Sequence, residues 1–359
     1  TGTAKKLARD LSGYLTGYLS GYMADNLSGN LLDGGVPADD STDDFGGDCA
    51  GDSTTRELSG QLALERVEEL DLLVRPPQHD LNFGSDDLLV LTSPVYSGRM
   101  PEPLQARLDK MRGSGTPAII AMTYGDRAYD DALLELADRL EERGFIVIGA
   151  GAFVARHAVF PRYAVGRPDE QDLLQLRALA EQSLARLISA CACNSASQTV
   201  SSSSATPPLD VSLSGPIAAP QATSITIPST TGCATPYITP LSTQLPEPLT
   251  GPFAALSVRA HIKGKRPYMK PQELPIYPRP DSRCVGCGTC ARLCPVQAID
   301  PRNIKAQPDK RCLACAACIH ACPQQSRKFR GLLYNGFDLV FLALSKVTKS
   351  KRKDPEIFV

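Results

Sequence analysis

The sequence predicts two modules: an α/β domain on a doubly wound parallel sheet, and a small α+β module near the C-terminus organised by metal ligation. Three observations carry that expectation. Residues 61–190 alternate short apolar bursts with helical periodicity, eight of the chain's 12 cysteines fall between 284 and 322, and a Ser/Thr/Pro-rich stretch separates the two regions. At 359 residues the chain has room for about two domains.

Taken in order, Thr1-Gly2-Thr3-Ala4 running into Lys5-Lys6-Leu7-Ala8 reads as a hydroxyl- and glycine-containing loop that opens a helix. Amides and hydroxyls in that position can receive a phosphate at the helix N-terminus. Leu11-Ser-Gly-Tyr14, Leu15-Thr-Gly-Tyr18 and Leu19-Ser-Gly-Tyr22 then form a period-four repeat, followed by an acidic, Gly-rich run through Asp52. The period is too short for a solenoid unit and its glycines weaken a helix, so 11–60 is expected to be a disordered or partly helical insertion.

Apolar bursts at Val67–Leu73, Leu88–Leu91, Ala118–Met122 and Phe145–Ala150 fit buried strands. Leu104–Met111, Ala132–Glu142 and Glu170–Ile188 carry helical periodicity, with Gly144 placed to cap the second of these. Such alternation implies a parallel sheet with helices on both faces. Ligands of open α/β sheets bind beyond the carboxyl ends of the strands. Two loops sit there: Thr92-Ser93-Pro94-Val95-Tyr96-Ser97-Gly98-Arg99 and Tyr124-Gly125-Asp126-Arg127-Ala128-Tyr129-Asp130. Each sets an aromatic near a glycine, which suits a flat ring held between them.

Within 195–248, 29 of 54 residues are Ser, Thr or Pro and only Asp210 and Glu247 are charged. A segment of that kind cannot bury enough apolar surface to offset its ordering entropy, so it reads as an interdomain linker. The expected partition is therefore 1–190, linker 191–258, and 259–359. Charge divides along the same lines. Residues 251–359 hold 20 Lys/Arg against 7 Asp/Glu, net +13, while 1–250 carry net −14. The expectation is transient, salt-sensitive docking of the halves through exposed pairs, or a basic face for an acidic redox partner. No nucleic-acid module accompanies the basic residues, so nucleic acid is not expected as a partner.

The most specific signal is Cys284-x-x-Cys287-x-x-Cys290-x-x-x-Cys294-Pro295, repeated as Cys312-x-x-Cys315-x-x-Cys318-x-x-x-Cys322-Pro323. Two-residue spacings let three thiolates from one tight loop converge on one cubane, and the fourth cysteine reaches the other cluster. Two [4Fe–4S] ligand sets follow: Cys284, Cys287, Cys290 with Cys322, and Cys312, Cys315, Cys318 with Cys294. Zinc sites take two Cys pairs separated by a longer loop, which is a different pattern. Cys49, Cys191, Cys193 and Cys233 lie outside the ladder. Clustered cysteines with no signal-peptide pattern point to metal ligands in a reducing compartment, hence the cytoplasm.

Thr1-Gly2-Thr3, the Pro94-Val95-Tyr96 loop and the 124–132 segment resemble the three FMN loops of a flavodoxin. With the Cys-Pro ladder, the chain is similar to the flavodoxin–ferredoxin fusion proteins of anaerobic bacteria over residues 1–10, 65–190 and 260–359. The resemblance implies a flavodoxin-like sheet in 2-1-3-4-5 order, its first strand expected upstream of Thr1, followed by a two-cluster ferredoxin. It further implies that Thr1, Gly2, Thr3 and Ala4 hold the FMN phosphate, and that Pro94, Val95, Tyr96, Ser97, Gly98, Tyr124, Gly125, Asp126 and Tyr129 flank the ring. The chain has no tryptophan, so any stacking falls to Tyr96, Tyr124 or Tyr129.

The tail from Leu332 carries many aliphatics and then Lys346 through Lys353. It reads as a helix packed on the ferredoxin module with a solvated basic end, and membrane association is not expected. Function is expected to be electron transfer between FMN and two [4Fe–4S] clusters. The alternative is a flavin-dependent oxidoreductase on a small substrate, but His157 falls past a strand rather than in either loop.

Overall fold

The computed structural model describes residues 6–15, 69–72, 76, 78–200, 253–271, 275–347 and 352–359, with the side chains of 192–200, 342 and 344–347 left outside the description. Strands β1 (Leu81–Phe83), β2 (Leu89–Pro94), β3 (Met111–Gly113), β4 (Thr116–Tyr124) and β5 (Phe145–Val154) fall in the first half. Helices α1 (residues 6–15), α2 (Glu102–Leu108), α3 (Ala132–Glu141) and α4 (Glu170–Val200) surround them.

The sheet runs β2-β4-β5 in parallel, and every residue of β4 and β5 is buried. Continuous apolar runs suit strands covered on both faces. Successive side chains of β4 then divide between two cores. Ile119 and Ala121 meet Leu7, Leu11 and Leu15 of α1 and Leu176, Leu179 and Leu184 of α4. Ala118, Ile120 and Met122 meet Leu104 and Leu108 of α2 and Leu133, Leu136 and Leu140 of α3. The i, i+4, i+8 spacing of the α1 leucines is one helix face, which the sheet covers. Glycine is required in β5 at Gly149, where a Cβ would fall 2.0 Å from Ser183 Oγ of α4.

Several expectations change. Residues 69–72 form no strand, and the rest of the expected Val67–Leu73 strand, apart from them, lies outside the described residues. Glu68, Glu69 and Asp71 break its apolar run, and Glu69 instead pairs with Arg9 of α1 at 3.0 Å. β1 and β3 form a separate parallel pair that the apolar bursts did not signal. α4 runs on to Val200, into the segment expected as linker, and residues 201–252 lie outside the described residues. Of the expected insertion, Leu11–Leu15 belong to α1 and 16–60 lie outside the described residues.

The second half returns to the sheet. Val258 donates its amide to the Val147 carbonyl at 2.8 Å. A C-terminal strand, Glu356–Phe358, pairs antiparallel with Ala150–Ala152 of β5. Both segments shield an edge that would otherwise offer unpaired backbone groups. The charge split is resolved by carboxylates that are buried rather than exposed. Arg266 and Tyr268 both reach Asp138, Arg259 meets Glu141 at 2.8 Å, and the amides of Lys265 and Met269 donate to Asp131. Asp138 and Glu141 side chains are 7% and 1% exposed, so these pairs rest on buried carboxylates rather than on the exposed pairs expected from the charge count.

The cysteine module is small. β6 (Pro278–Arg279) pairs antiparallel with β7 (Lys328–Phe329), and single-turn helices α5 (Thr289–Arg292) and α6 (Ala317–His320) occupy equivalent places within the two ladders, each carrying the third cysteine. Helix α7 (Leu332–Val347) follows, and the C-terminal strand just described is β8. Phe160, from the loop after β5, stacks on Tyr334 and Phe341 of α7 at centroid distances of 5.6 and 5.0 Å. With Val159 it joins Ile276, Ala316 and Phe329 in one cluster, so apolar packing as well as charge ties the halves together.

Candidate functional site

The eight ladder cysteines are gathered by local backbone geometry. Gly286 and Gly288 have φ of 74° and 75°, and Ala314 and Ala316 repeat the conformation at 52° and 61°. Left-handed residues in the two-residue gaps turn successive amides toward the sulfurs, a concave array that favours negative charge. The amides of Ala314 and Ala317 donate to Cys312 and Cys315, and that of Ala298 to Cys294 Sγ at 3.3 Å.

The thiols divide into two quartets. One small cavity, partly open to solvent, is lined by Cys284, Cys287, Cys290 and Cys322. The other is lined by Cys312, Cys315, Cys318 and Cys294. Each thus mixes three cysteines of one ladder with the fourth of the other. Cys191 lies on α4, away from both, and Cys49 and Cys233 lie outside the described residues.

The surroundings of the quartets differ. In the first, Cys287 is exposed, and the Thr289 hydroxyl and amide lower its pKa. Burial pushes Cys322 up, but the Ser326 hydroxyl and the amides of Arg327, Ser326 and Gln324 outweigh it and bring it down to about 7. In the second quartet burial dominates, raising Cys312 to about 11 and Cys318 to about 12. Arg327 lies at the seam. It is 1% exposed, donates to the carbonyls of Pro278 at 3.0 Å and Ile304 at 2.6 Å, and lowers both Cys312 and Cys318. Sequence reasoning missed it, because an arginine among many in a basic segment carries no sign of burial.

The two expected flavin loops lie side by side at the carboxyl ends of β2 and β4. Tyr96 and Arg99 exchange backbone hydrogen bonds of 3.0 Å around Ser97 and Gly98, both left-handed. A Cβ on Gly98 would fall 2.5 Å from Asp130 Oδ2 and 2.7 Å from Met269 Sδ, so the turn is held between the second loop and the approach to the ladder. Arg99 forks onto buried Glu135, donates to the Met269 carbonyl at 2.7 Å, and lies over the Tyr268 ring. Val95 donates to Thr123, and Pro94 ends β2 beside it. Tyr96 is half-buried on its residue surface, yet its phenol is enclosed. Burial, then the nearby Cys315 thiol, hold its pKa well above the usual tyrosine value.

In the second loop Asp126 and Asp130 are left-handed, at φ of 64° and 46°. Tyr124 and Tyr129 are both in the core, their rings edge to face at 5.6 Å. Burial raises Tyr124 to about 12, and burial with the Glu356 hydrogen bond raises Tyr129 further. Gly125 lies against His157, whose Cδ2 would be 2.6 Å from a Cβ there. His157 Nδ1 accepts the amides of Val159 and Phe160 at 3.1 and 3.2 Å, and burial lowers its pKa to about 4. The ring is therefore neutral, and it touches a loop that the sequence order had separated it from. Lys353, from the tail, donates to the carbonyls of Asp126 and Arg127. Thr1, Gly2, Thr3 and Ala4 lie outside the described residues.

Residues 269–326, which contain all eight ladder cysteines, match the family model of a 4Fe-4S dicluster domain. No curated protein and no solved structure matches the chain. The C-terminal segment is thus a ferredoxin-type iron–sulfur domain, and its chemistry is iron–sulfur electron transfer.

Proposed function

We propose that the chain is a relay between a flavin and two iron–sulfur clusters. Cys284, Cys287, Cys290 and Cys322 hold one [4Fe–4S] cluster, and Cys294, Cys312, Cys315 and Cys318 hold the other. FMN lies at the loops 94–98 and 124–129 of a flavodoxin-like domain, residues 1–190, joined through 191–258 to the ferredoxin domain, 259–359. The clusters supply one-electron steps and a flavin supplies two.

The ligand sets are supported by the donor chemistry. Four thiols line each cavity and backbone amides point at several of the sulfurs, which fits a cubane. For FMN the support is the meeting of the two loops at adjacent parallel strand ends, where α/β sheets bind ligands. Tyr124 and Tyr129 are spent in the core, so the ring-facing role falls to Tyr96. The observation that carries the proposal is Tyr96 itself, which belongs to a flavin loop and whose phenol is within electrostatic reach of Cys315 of the second quartet. A flavin at that loop would be on the side of the sheet that carries a cluster, as transfer between them requires. His157, kept neutral, offers no ready acid at the loop, which favours carriage over reduction of a small substrate.

The test is titration of anaerobically purified protein with FMN, followed by transfer from reduced flavin to the clusters. The proposal expects about one tightly held FMN per chain and cluster bleaching coupled to flavin oxidation. Failure to bind FMN would remove the flavin half and leave the iron–sulfur domain standing.

A further inference from the structure

Helix α7 is apolar on two opposite sides, and only one is used. Tyr334, Phe337 and Phe341, at i, i+3 and i+7, pack against the Phe160 cluster. Leu332, Leu339, Val340 and Leu333 face away, exposed by 91%, 67%, 54% and 61%. These are half of the exposed large aliphatic side chains among the described residues, brought together on one helix. Gly336 and Ala343 continue the same exposed face, so no polar side chain interrupts it. A contiguous exposed apolar face of this kind marks a surface that meets a partner or lipid.

Charge and length indicate what covers it. Lys328 stands exposed just before the helix, Arg330 is partly exposed while pairing with Asp281 at 3.3 Å, and Lys346 falls in the last turn. Its sole acidic residue, Asp338, is paired with Arg162 at 3.4 Å. The region from 251 onward carries net +13. At about 1.5 Å per residue the helix is about 24 Å long, shorter than a bilayer core of about 30 Å. Among the described residues no helix is long and apolar enough to cross a membrane. An aliphatic face with basic ends, too short to span, is the arrangement of a helix lying in a lipid headgroup layer.

We propose that α7 seats the protein on an anionic lipid surface. Leu332, Leu333, Leu339 and Val340 enter the acyl boundary, while Lys328 and Arg330 at the start of the helix meet the headgroups. Its other face stays on Phe160, so seating requires no refolding of the electron-transfer module.

The test is flotation of the full holoprotein with vesicles of phosphatidylcholine alone and of phosphatidylcholine mixed with phosphatidylglycerol. Binding is expected on the mixed vesicles and to weaken as salt is raised. It should fall about tenfold or more in a variant carrying Leu332→Ser, Leu333→Ser, Leu339→Ser and Val340→Ser. Unchanged cluster absorbance checks the fold of that variant. Leu339→Trp gives a second reading, because the chain has no tryptophan of its own. Its emission should shift to shorter wavelength on anionic vesicles. No flotation, flotation that survives the serine variant, or an unshifted emission would overturn the proposal. So would a lipid-free dimer that the serine variant dissolves, since the face would then belong to a second copy.

Discussion

Tyr129 donates its phenolic hydrogen to Glu356 across 2.7 Å, joining the loop after β4 to the last strand of the chain. Lys263 holds the same carboxylate at 2.8 Å, and Lys353 grips the backbone of Asp126 and Arg127. A loop expected to serve a ligand is thus fastened by the tail, 227 residues further along the chain. Burial pushes the Glu356 carboxyl up, but Lys263 and Tyr129 outweigh it and hold it below the usual range. Replacing Glu356 with Gln should cost about 1 kcal/mol, discounted for partial exposure, and lower Tm by about 3 °C. Because the pKa is depressed, the difference from wild type should be present above about pH 4.3 and shrink as pH falls below it, which calorimetry reads.

His157 gives a second pH dependence. Burial lowers its pKa from 6.5 to about 4, so the unfolded chain binds a proton that the folded chain refuses. The stability it contributes is complete above about pH 6.5 and is lost between there and about pH 4, by up to about 3 kcal/mol. Replacing it with Asn should flatten that part of the denaturation profile. An unchanged slope would mean that His157 is charged in the folded protein.

The junction of the halves should resist salt. Asp138 is nearly buried while its partner Arg266 is half exposed, so Asp138→Ala should cost about 2 kcal/mol by leaving Arg266 and Tyr268 without their acceptor. Small-angle scattering of the wild type should be unchanged from about 0.01 to about 0.5 M salt, over which the Debye length shrinks several-fold. Expansion at high salt would restore the transient docking that the charge count suggested.

Arg327 supplies a buried positive charge between the quartets. Replacing it with Met should disfavour the added electron and shift reduction potentials negative by about 60 mV, the one-electron equivalent of about 1.4 kcal/mol. Protein-film voltammetry would show this, and an unmoved potential would make Arg327 purely structural.

The ladder was legible because its geometry is local. Fixed two-residue gaps and small residues at 286, 288, 314 and 316 determine how the thiols turn, and even the exchange of Cys294 and Cys322 between cavities follows the spacing. The buried strands β4 and β5 were legible for the same reason, as unbroken apolar runs. Long-range pairing was not. Glu356-Ile357-Phe358 is too short to carry a period, and nothing near it names Gly151 as the partner of Ile357. Arg259 and Arg266 read as solvated charges until α3 brought Asp138 and Glu141 beneath them.

Metal content tests the central claim most directly. Iron and acid-labile sulfide should both be about eight per chain in protein purified without oxygen, from two cubanes held by the two quartets. Changing Cys322 to Ala should disturb the cluster shared with Cys284, Cys287 and Cys290 and leave the other intact. Tightly bound zinc with little iron, or loss of the cluster at Cys312, Cys315 and Cys318 instead, would contradict the account.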